Sequence, residues 1–155
     1  MQYVSTRGRA PVLGFSDAVL TGLATDGGLY LPASWPQLSA AEIAGFAIRP
    51  YADVAFDIIS RFTGGEIVPQ ALRQIVDEAY ATFRHPSVAP LVEIGPGHFV
   101  LELFHGPTLA FKDVAMQVLA RLMDHIPTAR NARATIVGAT SGDTGSAAIE
   151  AFRGR

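Results

Sequence analysis

The sequence predicts a mixed α/β fold in which a small, mostly helical N-terminal domain with short strands precedes the start of a parallel-sheet domain. Helix-start signals and helical apolar spacing dominate the first 85 residues. Beyond them, strand-like and helical segments alternate, which is typical of a parallel sheet covered by helices. We therefore predict domains at residues 1–85 and 86–155. Because two strands do not complete a parallel α/β domain, the second domain is expected to be truncated.

The first 32 residues predict short strands around one small helix. Ser16 is the predicted N-cap of a helix over residues 17–20, and Gly22 ends that helix. A strand is predicted over residues 29–31, closed by Pro32.

Three helix signals follow. Ser39 and Glu42 have the spacing of a capping box, so a short helix is predicted to begin there. Residues 50–62 and 69–83 repeat apolar residues at helical spacing, and each range begins with a proline, which suits the first turn of a helix. Both of these helices are therefore expected to bury an apolar stripe.

The second half of the chain begins with a predicted hairpin. Strands over residues 91–94 and 99–103 flank a Gly-Pro-Gly turn. A helix is predicted over residues 111–125, and the apolar run 134–137 predicts a buried strand. That strand leads into a glycine-rich turn at residues 138–145, where a further helix begins.

Composition excludes several function classes. The chain has 155 residues, a formal net charge of −2, 49% hydrophobic residues and 17% charged residues, which is a globular composition. Near-neutral charge without a basic run argues against a nucleic-acid partner. The absence of cysteine excludes disulfides and thiol catalysis, and the histidines lack metal-ligand spacing, so no metal is expected. Without a membrane-spanning stretch or signal-peptide features, a cytoplasmic protein is expected.

Lysine is nearly absent from the chain. Of the 12 basic residues only Lys112 is a lysine, and the others are arginine. A lysine amine, unlike a guanidinium, can be neutralised by its surroundings and can attack a carbonyl. Lys112 lies at a predicted helix start, where the helix dipole disfavours an ammonium, and Phe111 is expected to add desolvation. Lys112 is therefore a candidate for chemistry; the alternative is an exposed charge without a function.

A second candidate site is the turn formed by Ser141, Gly142, Asp143, Thr144 and Gly145. Free N–H groups at a helix start, together with hydroxyl groups and glycines that let a ligand approach, favour a carboxylate or a phosphate. The alternative is an ordinary capped turn. The segment matches neither the nucleotide phosphate loop, nor the dinucleotide fingerprint, nor the nucleophile turn of serine hydrolases.

Three parts of the sequence resemble the threonine synthase family. Residues 102–113, ELFHGPTLAFKD, are similar to the lysine segment of that family, and residues 139–148, ATSGDTGSAA, are similar to its next motif. Residues 3–8 and 22–32 resemble the N-terminal domain that distinguishes threonine synthases from other enzymes of their fold. The motifs stand in family order and cover most of the chain.

The resemblance implies a three-layer fold of the tryptophan-synthase β type and a lyase that uses pyridoxal 5′-phosphate. Such an enzyme converts O-phospho-L-homoserine and water into L-threonine and phosphate, as a monomer or homodimer without nucleic-acid or membrane partners. Lys112 would hold the cofactor as a Schiff base and shuttle protons, next to Phe111. The turn from Ser141 to Gly145 would face the cofactor and the substrate carboxylate. Relatives in the wider fold often carry Asn in place of Asp143, which leaves the role of that side chain open.

The same resemblance places the loop for the cofactor phosphate and the partner of the pyridine nitrogen beyond residue 155. The chain is therefore expected to be an N-terminal part that is inactive alone. Two other functions stay open. One is a threonine-synthase-like phospho-lyase for another phosphorylated amino acid, and the other is a non-catalytic module that binds an anion at the Ser141 turn.

Overall fold

The computed structural model describes residues 1–140 and 142–155, which form a mixed α/β fold with short strands. The chain divides into two compact units, the first of residues 1–49 and 53–73 and the second of residues 50–52 and 74–155. The domain boundary predicted at residues 85 and 86 stays a prediction. The elements follow in the order β1 (Tyr3–Ser5), α1 (Phe15–Thr21), β2 (Tyr30–Pro32), α2 (Ala40–Gly45), α3 (Tyr51–Thr63), α4 (Pro69–Tyr80), β3 (Leu91–Gly95), β4 (His98–Leu101), α5 (Asp113–Ala129) and α6 (Asp143–Phe152).

In the first unit one carboxylate stabilises the small antiparallel sheet of β1 and β2. Asp26, in the turn before β2, accepts a hydrogen bond from the Ser5 hydroxyl at 2.7 Å. It also accepts hydrogen bonds from the backbone N–H groups of Arg9 and Gly28, each at 2.9 Å. These hydrogen bonds, led by the one from Ser5, outweigh desolvation and lower the pKa of Asp26 to about 2.

Helix α1 begins earlier than predicted. Its N-cap residue is Gly14 rather than Ser16, and glycine has no side chain with which to cap the helix. Instead the Glu66 carboxylate accepts hydrogen bonds from the backbone N–H groups of Phe15 at 2.7 Å and Ser16 at 2.9 Å. A distant carboxylate therefore does what the sequence-based prediction expected of the Ser16 hydroxyl. The predicted end at Gly22 is confirmed, with a φ of 64°.

Helix α2 begins with the predicted capping box. The Ser39 hydroxyl accepts from the backbone N–H of Glu42 at 3.2 Å, and the Ser39 backbone N–H donates to the Glu42 carboxylate at 2.7 Å. Arg61 pairs with the same carboxylate at 2.6 Å. The hydrogen bonds from Arg61 and Ser39 together lower the pKa of Glu42 to about 2.

Helices α3 and α4 lie close to their predicted ranges, and α4 ends three residues before the predicted position. One face of α4 is fully buried: Leu72 is 1% exposed, and Val76 and Ala79 are 0% exposed. This spacing is that of the buried stripe predicted from the sequence. In the second unit the rings of Tyr51 and Tyr80 meet edge to face at 4.8 Å.

The predicted hairpin is present in the second unit as β3 and β4, with Leu91 opposite Leu101. Gly97 in its turn has a φ of 72°, a left-handed conformation that glycine adopts at little cost.

The strand predicted at residues 134–137 is absent, so that prediction is wrong. The run belongs to no strand, and Val137 is 90% exposed. Both sheets formed by the described residues are two-stranded and antiparallel. The run therefore has no parallel neighbour with which to form the hydrogen bonds of a buried strand.

Helix α5 runs further than predicted, through Pro127 to Ala129, and packs against α6. Arg121 of α5 is buried, and its guanidinium donates a hydrogen bond to the backbone oxygen of Gln117 at 2.8 Å. Burial lowers the pKa of Arg121.

Among the helices of the described residues, none has both the length and the apolar character needed to cross a membrane.

Candidate functional site

Lys112 lies at the start of α5, as predicted. It is the N-cap residue, with φ −58° and ψ −27°, and it is half-buried. Its Nζ lies 4.6 Å from the centre of the Phe111 ring, and Phe111 is itself 53% exposed. An ammonium over the face of an aromatic ring is attracted by the ring quadrupole. Phe111, which was expected to desolvate the amine, thus lies in direct contact with it.

The loop before Lys112 is fixed by a buried carboxylate. Asp113 is 0% exposed, and its carboxylate accepts hydrogen bonds from the backbone N–H and the hydroxyl of Thr108, both at 2.8 Å. Gly106 packs directly on Asp113, where a larger residue would overlap it. Leu109 between them has a φ of 66°, which is uncommon for a branched side chain.

His105 lies in the same segment, seven residues before Lys112. Its Nε2 lies 2.7 Å from the Glu102 carboxylate, and its ring is 5.0 Å from that of His85. Its backbone oxygen accepts a hydrogen bond from the Arg84 N–H at 2.9 Å. His105 is therefore held by hydrogen bonds to neighbouring residues of the same unit.

The second candidate site lies at the start of α6. Gly142 is the N-cap residue, with a φ of 152°, and Asp143 and Thr144 are exposed. The Thr140 hydroxyl accepts hydrogen bonds from the N–H groups of Gly142 at 3.3 Å and Gly145 at 2.9 Å. Part of the expected anion cradle is therefore occupied by a side chain of its own loop. Ser141, also predicted to bind here, lies outside the described residues.

The two candidate sites lie at the starts of two helices, α5 and α6, that pack against each other. The Arg155 guanidinium lies 3.9 Å from the Asp124 carboxylate, and Phe152 and Pro127 line a common cavity. The C-terminal ends of α5 and α6 are therefore neighbours. Among the described residues no direct contact joins Lys112 to the turn at the start of α6.

Sequence reasoning missed three residues that organise these two helix starts: Asp113, Thr108 and Thr140. The sequence shows Asp113 only as an acidic residue next to Lys112. Thr108 directly follows a Gly-Pro pair and lies five residues before Asp113, and this turn signal could have suggested their contact. Thr140 precedes a glycine-rich helix start, where a hydroxyl can accept from the free N–H groups.

Fold and site together define a mixed α/β protein that carries a single lysine at one helix start and a glycine-rich turn at another. Residues 2–80 match the family model described as the threonine synthase N terminus. The chain therefore belongs to the threonine synthase family, which the sequence motifs had indicated. The predicted mixed α/β class with short strands is confirmed as well, because the solved threonine synthases share this fold.

Individual relatives agree with the family match. The threonine synthase of Pseudomonas aeruginosa is 52% identical over 153 residues, which are 99% of this chain and 33% of the relative. A human protein named threonine synthase-like 2 is 39% identical, over 99% of this chain and 32% of its own length. The crystal structure of pyridoxal-phosphate-bound threonine synthase from Brucella melitensis matches with a TM-score of 0.97 and 63% identity, over 100% of this chain and 33% of that one. The chain thus spans about a third of the length of these relatives.

Proposed function

We propose that this chain is the N-terminal part of a threonine synthase. The enzyme would use pyridoxal 5′-phosphate to convert O-phospho-L-homoserine and water into L-threonine and phosphate, in the cytoplasm and with the help of residues beyond 155. The observation that carries the proposal is the position of Lys112. It is the only lysine of the chain and the N-cap of α5, in a fold that matches a relative whose structure contains this cofactor.

The residues at the two helix starts fit such a cofactor. Lys112 offers the primary amine that binds an aldehyde carbon, and it is only half-buried, so a ligand can reach it. Gly142 leaves open space where a side chain would otherwise stand, and N–H groups in the first turn of a helix suit a phosphate or carboxylate. Because Thr140 occupies two of these groups, the donors left among the described residues of the turn are the N–H groups of Asp143 and Thr144.

Each residue would then have a defined task. When bound, pyridoxal phosphate supplies an electron sink for negative charge at the substrate Cα. Lys112 would hold the cofactor through Nζ and, once released, carry protons between substrate carbons at that atom. The Phe111 ring, against which Nζ lies, would orient the amine and shield one side of it from water. Overall, phosphate leaves Cγ and water adds a hydroxyl at Cβ.

The start of α6 would bind an anionic group through its backbone. Asp143 and Thr144 would supply the first-turn N–H groups, next to Gly142 and Gly145, whose own N–H groups donate to Thr140. Ser141 is proposed to add its hydroxyl. The exposed carboxylate of Asp143 repels a second anion at close range. We therefore expect the bound anion to contact backbone N–H groups rather than this side chain.

The full-length protein and O-phospho-L-homoserine provide the test. We expect equal amounts of threonine and phosphate, and we expect Lys112→Arg to abolish both because a guanidinium cannot bind the cofactor aldehyde. Reduction with borohydride followed by peptide mapping should place the cofactor on Lys112. The matched control is Arg153→Lys, which changes an exposed cation paired with Glu150 and should leave turnover unchanged.

Three results would contradict the proposal in different ways. Turnover that persists in Lys112→Arg would show that Lys112 does not take part in the reaction. Release of 2-oxobutanoate instead of threonine would favour a phospho-lyase over a threonine synthase. Anion binding that survives in Lys112→Arg, without turnover in the unmodified protein, would favour a binding module.

A further inference from the structure

The residue next to Lys112 is a carboxylate that is wholly buried. Asp113 is 0% exposed, whereas the first-turn acidic residues of α1 and α6, Asp17 and Asp143, are exposed. Burial of a carboxylate is costly unless hydrogen bonds compensate for the lost water. An acidic residue that serves only to complement the helix dipole does not need to be buried. The burial of Asp113 therefore calls for a role that an exposed aspartate would not fill.

The hydrogen bonds of Asp113 close a small loop that contains Lys112. Both carboxylate oxygens accept from Thr108, one from the backbone N–H and the other from the hydroxyl, each at 2.8 Å. The chain between these two residues consists of four residues, the last of which is Lys112. Movement of Thr108 away from the first turn of α5 would break these hydrogen bonds. The direction in which the Lys112 side chain leaves the helix thus depends on this pair.

Two further features show how tightly the loop is held. Gly106 lies against the Asp113 side chain so closely that a Cβ on Gly106 would overlap it. Leu109 adopts a φ of 66°, and its N–H donates to the Gly106 oxygen at 3.2 Å. A left-handed conformation is disfavoured for a leucine, and such conformations persist where the surrounding contacts determine the backbone. Asp113 supplies contacts of that kind.

We infer that Asp113 is a positioning residue for Lys112. It touches no reacting group; it joins the loop at Thr108 to the start of α5 and so holds the lysine amine in place. This role rests on the proposed function of Lys112. Loss of the Asp113 contacts would let the loop and the amine sample other orientations, and in an enzyme such a displacement lowers the rate of the chemical steps more than substrate binding.

The test measures the position of the amine without cofactor or turnover. Because Lys112 is the only lysine in these 155 residues, its acetylation rate can be read from one peptide, relative to a reference amine. We expect Asp113→Asn and Thr108→Val in the full-length protein to change this rate by roughly twofold to tenfold, as loss of one hydrogen bond allows. Amide exchange at Thr108 should become faster in Asp113→Asn. Thr108→Ser keeps the hydroxyl and should retain the original rate.

A second control separates positioning from general stability. Leu72→Ala removes a buried side chain in the other unit, so it should weaken the fold without changing the Lys112 acetylation rate under native conditions. The double variant Asp113→Asn with Thr108→Val should change the acetylation rate no more than the stronger single variant does. Both substitutions act on the same residue pair, so their effects should not add. In turnover, Asp113→Asn should lower kcat by roughly 10- to 100-fold with little change in KM.

Folded Asp113→Asn with an unchanged Lys112 acetylation rate and unchanged Thr108 amide exchange would overturn the inference. If Asp113→Asn does not fold, the test compares the Lys112 acetylation rates of Thr108→Val and Thr108→Ser. Equal rates in those two variants would overturn the inference. Failure of the proposed function gives a different result: the unmodified protein then forms no bond between Lys112 and pyridoxal phosphate, whatever the acetylation rates show.

Discussion

The Glu66 carboxylate lies 2.7 Å from the backbone nitrogen of Phe15 and caps α1 from a position 51 residues further along the chain. It also accepts from the Ser16 N–H at 2.9 Å. Burial opposes ionisation of Glu66, but the backbone hydrogen bonds from Ser16 and Phe15 outweigh it and lower the pKa of Glu66. One carboxylate therefore joins the start of α1 to the segment that follows α3.

Glu66→Gln should destabilise the first unit. The amide keeps only one acceptor for two N–H groups and loses the charge that favours a helix N-terminus, so we expect a loss of about 1 kcal/mol in the free energy of unfolding. Urea unfolding followed by circular dichroism measures it. The control is Glu150→Gln, which removes a surface pair with Arg153 and should cost less than about 0.5 kcal/mol.

The contribution of Glu66 to the free energy of unfolding should also depend on pH. Because the pKa is lower in the folded chain, the stabilisation is complete above the pKa of the unfolded chain and is lost as the pH falls through the folded value. Glu66→Gln should therefore lose less stability on acidification than the unmodified chain does. Equal acid dependence in the two chains would show that the cap is not formed in solution.

Asp26→Asn should loosen the turn between α1 and β2 and lower the midpoint of thermal unfolding. An amide cannot accept all the hydrogen bonds that the Asp26 carboxylate receives from Ser5, Arg9, Ala10 and Gly28. The pKa of Asp26 is lowered to about 2 in the folded chain. The stabilisation that Asp26 provides is therefore present above its unfolded pKa, near 4, and is lost as the pH falls towards 2.

Fluorescence of Trp35, the only tryptophan of the chain, can follow this acid transition, because its ring lies 6.2 Å from that of Phe62 in the same unit. The unmodified chain should show a transition between pH 4 and 2 that is weaker in Asp26→Asn. Asp57→Asn, which removes a single exposed pair with Arg49, serves as the control. Identical acid transitions in both variants would contradict the assignment of this transition to Asp26.

Leu72→Ala should be the most destabilising of the substitutions considered. Leu72 is 1% exposed, and truncation of a buried leucine costs about 2–5 kcal/mol because a cavity remains. The midpoint of urea unfolding gives the value. Val68→Ala, at a position that is 59% exposed just before α4, should change the free energy of unfolding by less than about 0.5 kcal/mol. Similar losses in both variants would mean that Leu72 is not in the core.

Local signals allowed much of the fold to be predicted. The Ser39 capping box joins residues three positions apart, and the stripe of Leu72, Val76 and Ala79 follows from helical periodicity alone. The cap of α1 could not be predicted in this way, because its carboxylate, Glu66, is remote in sequence. The strand predicted at residues 134–137 failed for a related reason. An apolar run becomes a strand only when a neighbouring strand completes its hydrogen bonds.

In the candidate site, too, local sequence signals identified some residues and could not identify others. Lys112 could be chosen from composition and from its helix start, since both are local properties. The sequence showed Asp113 only as an acidic residue in a first turn, where aspartates are usually exposed. Its burial depends on the path of the loop around Gly106 and Leu109, and no periodic pattern encodes that path.

Gly106→Ala tests that path directly. Because a Cβ on Gly106 would overlap the Asp113 side chain, the loop or the first turn of α5 must move, at a cost of about 1–3 kcal/mol in the free energy of unfolding. The Lys112 acetylation rate should change as it does in Asp113→Asn. Gly45→Ala, where the added Cβ meets open space, should leave stability unchanged or raise it by up to about 1 kcal/mol. A Gly106→Ala chain as stable as the unmodified one, with the same acetylation rate, would mean that the loop does not pack on Asp113 in solution.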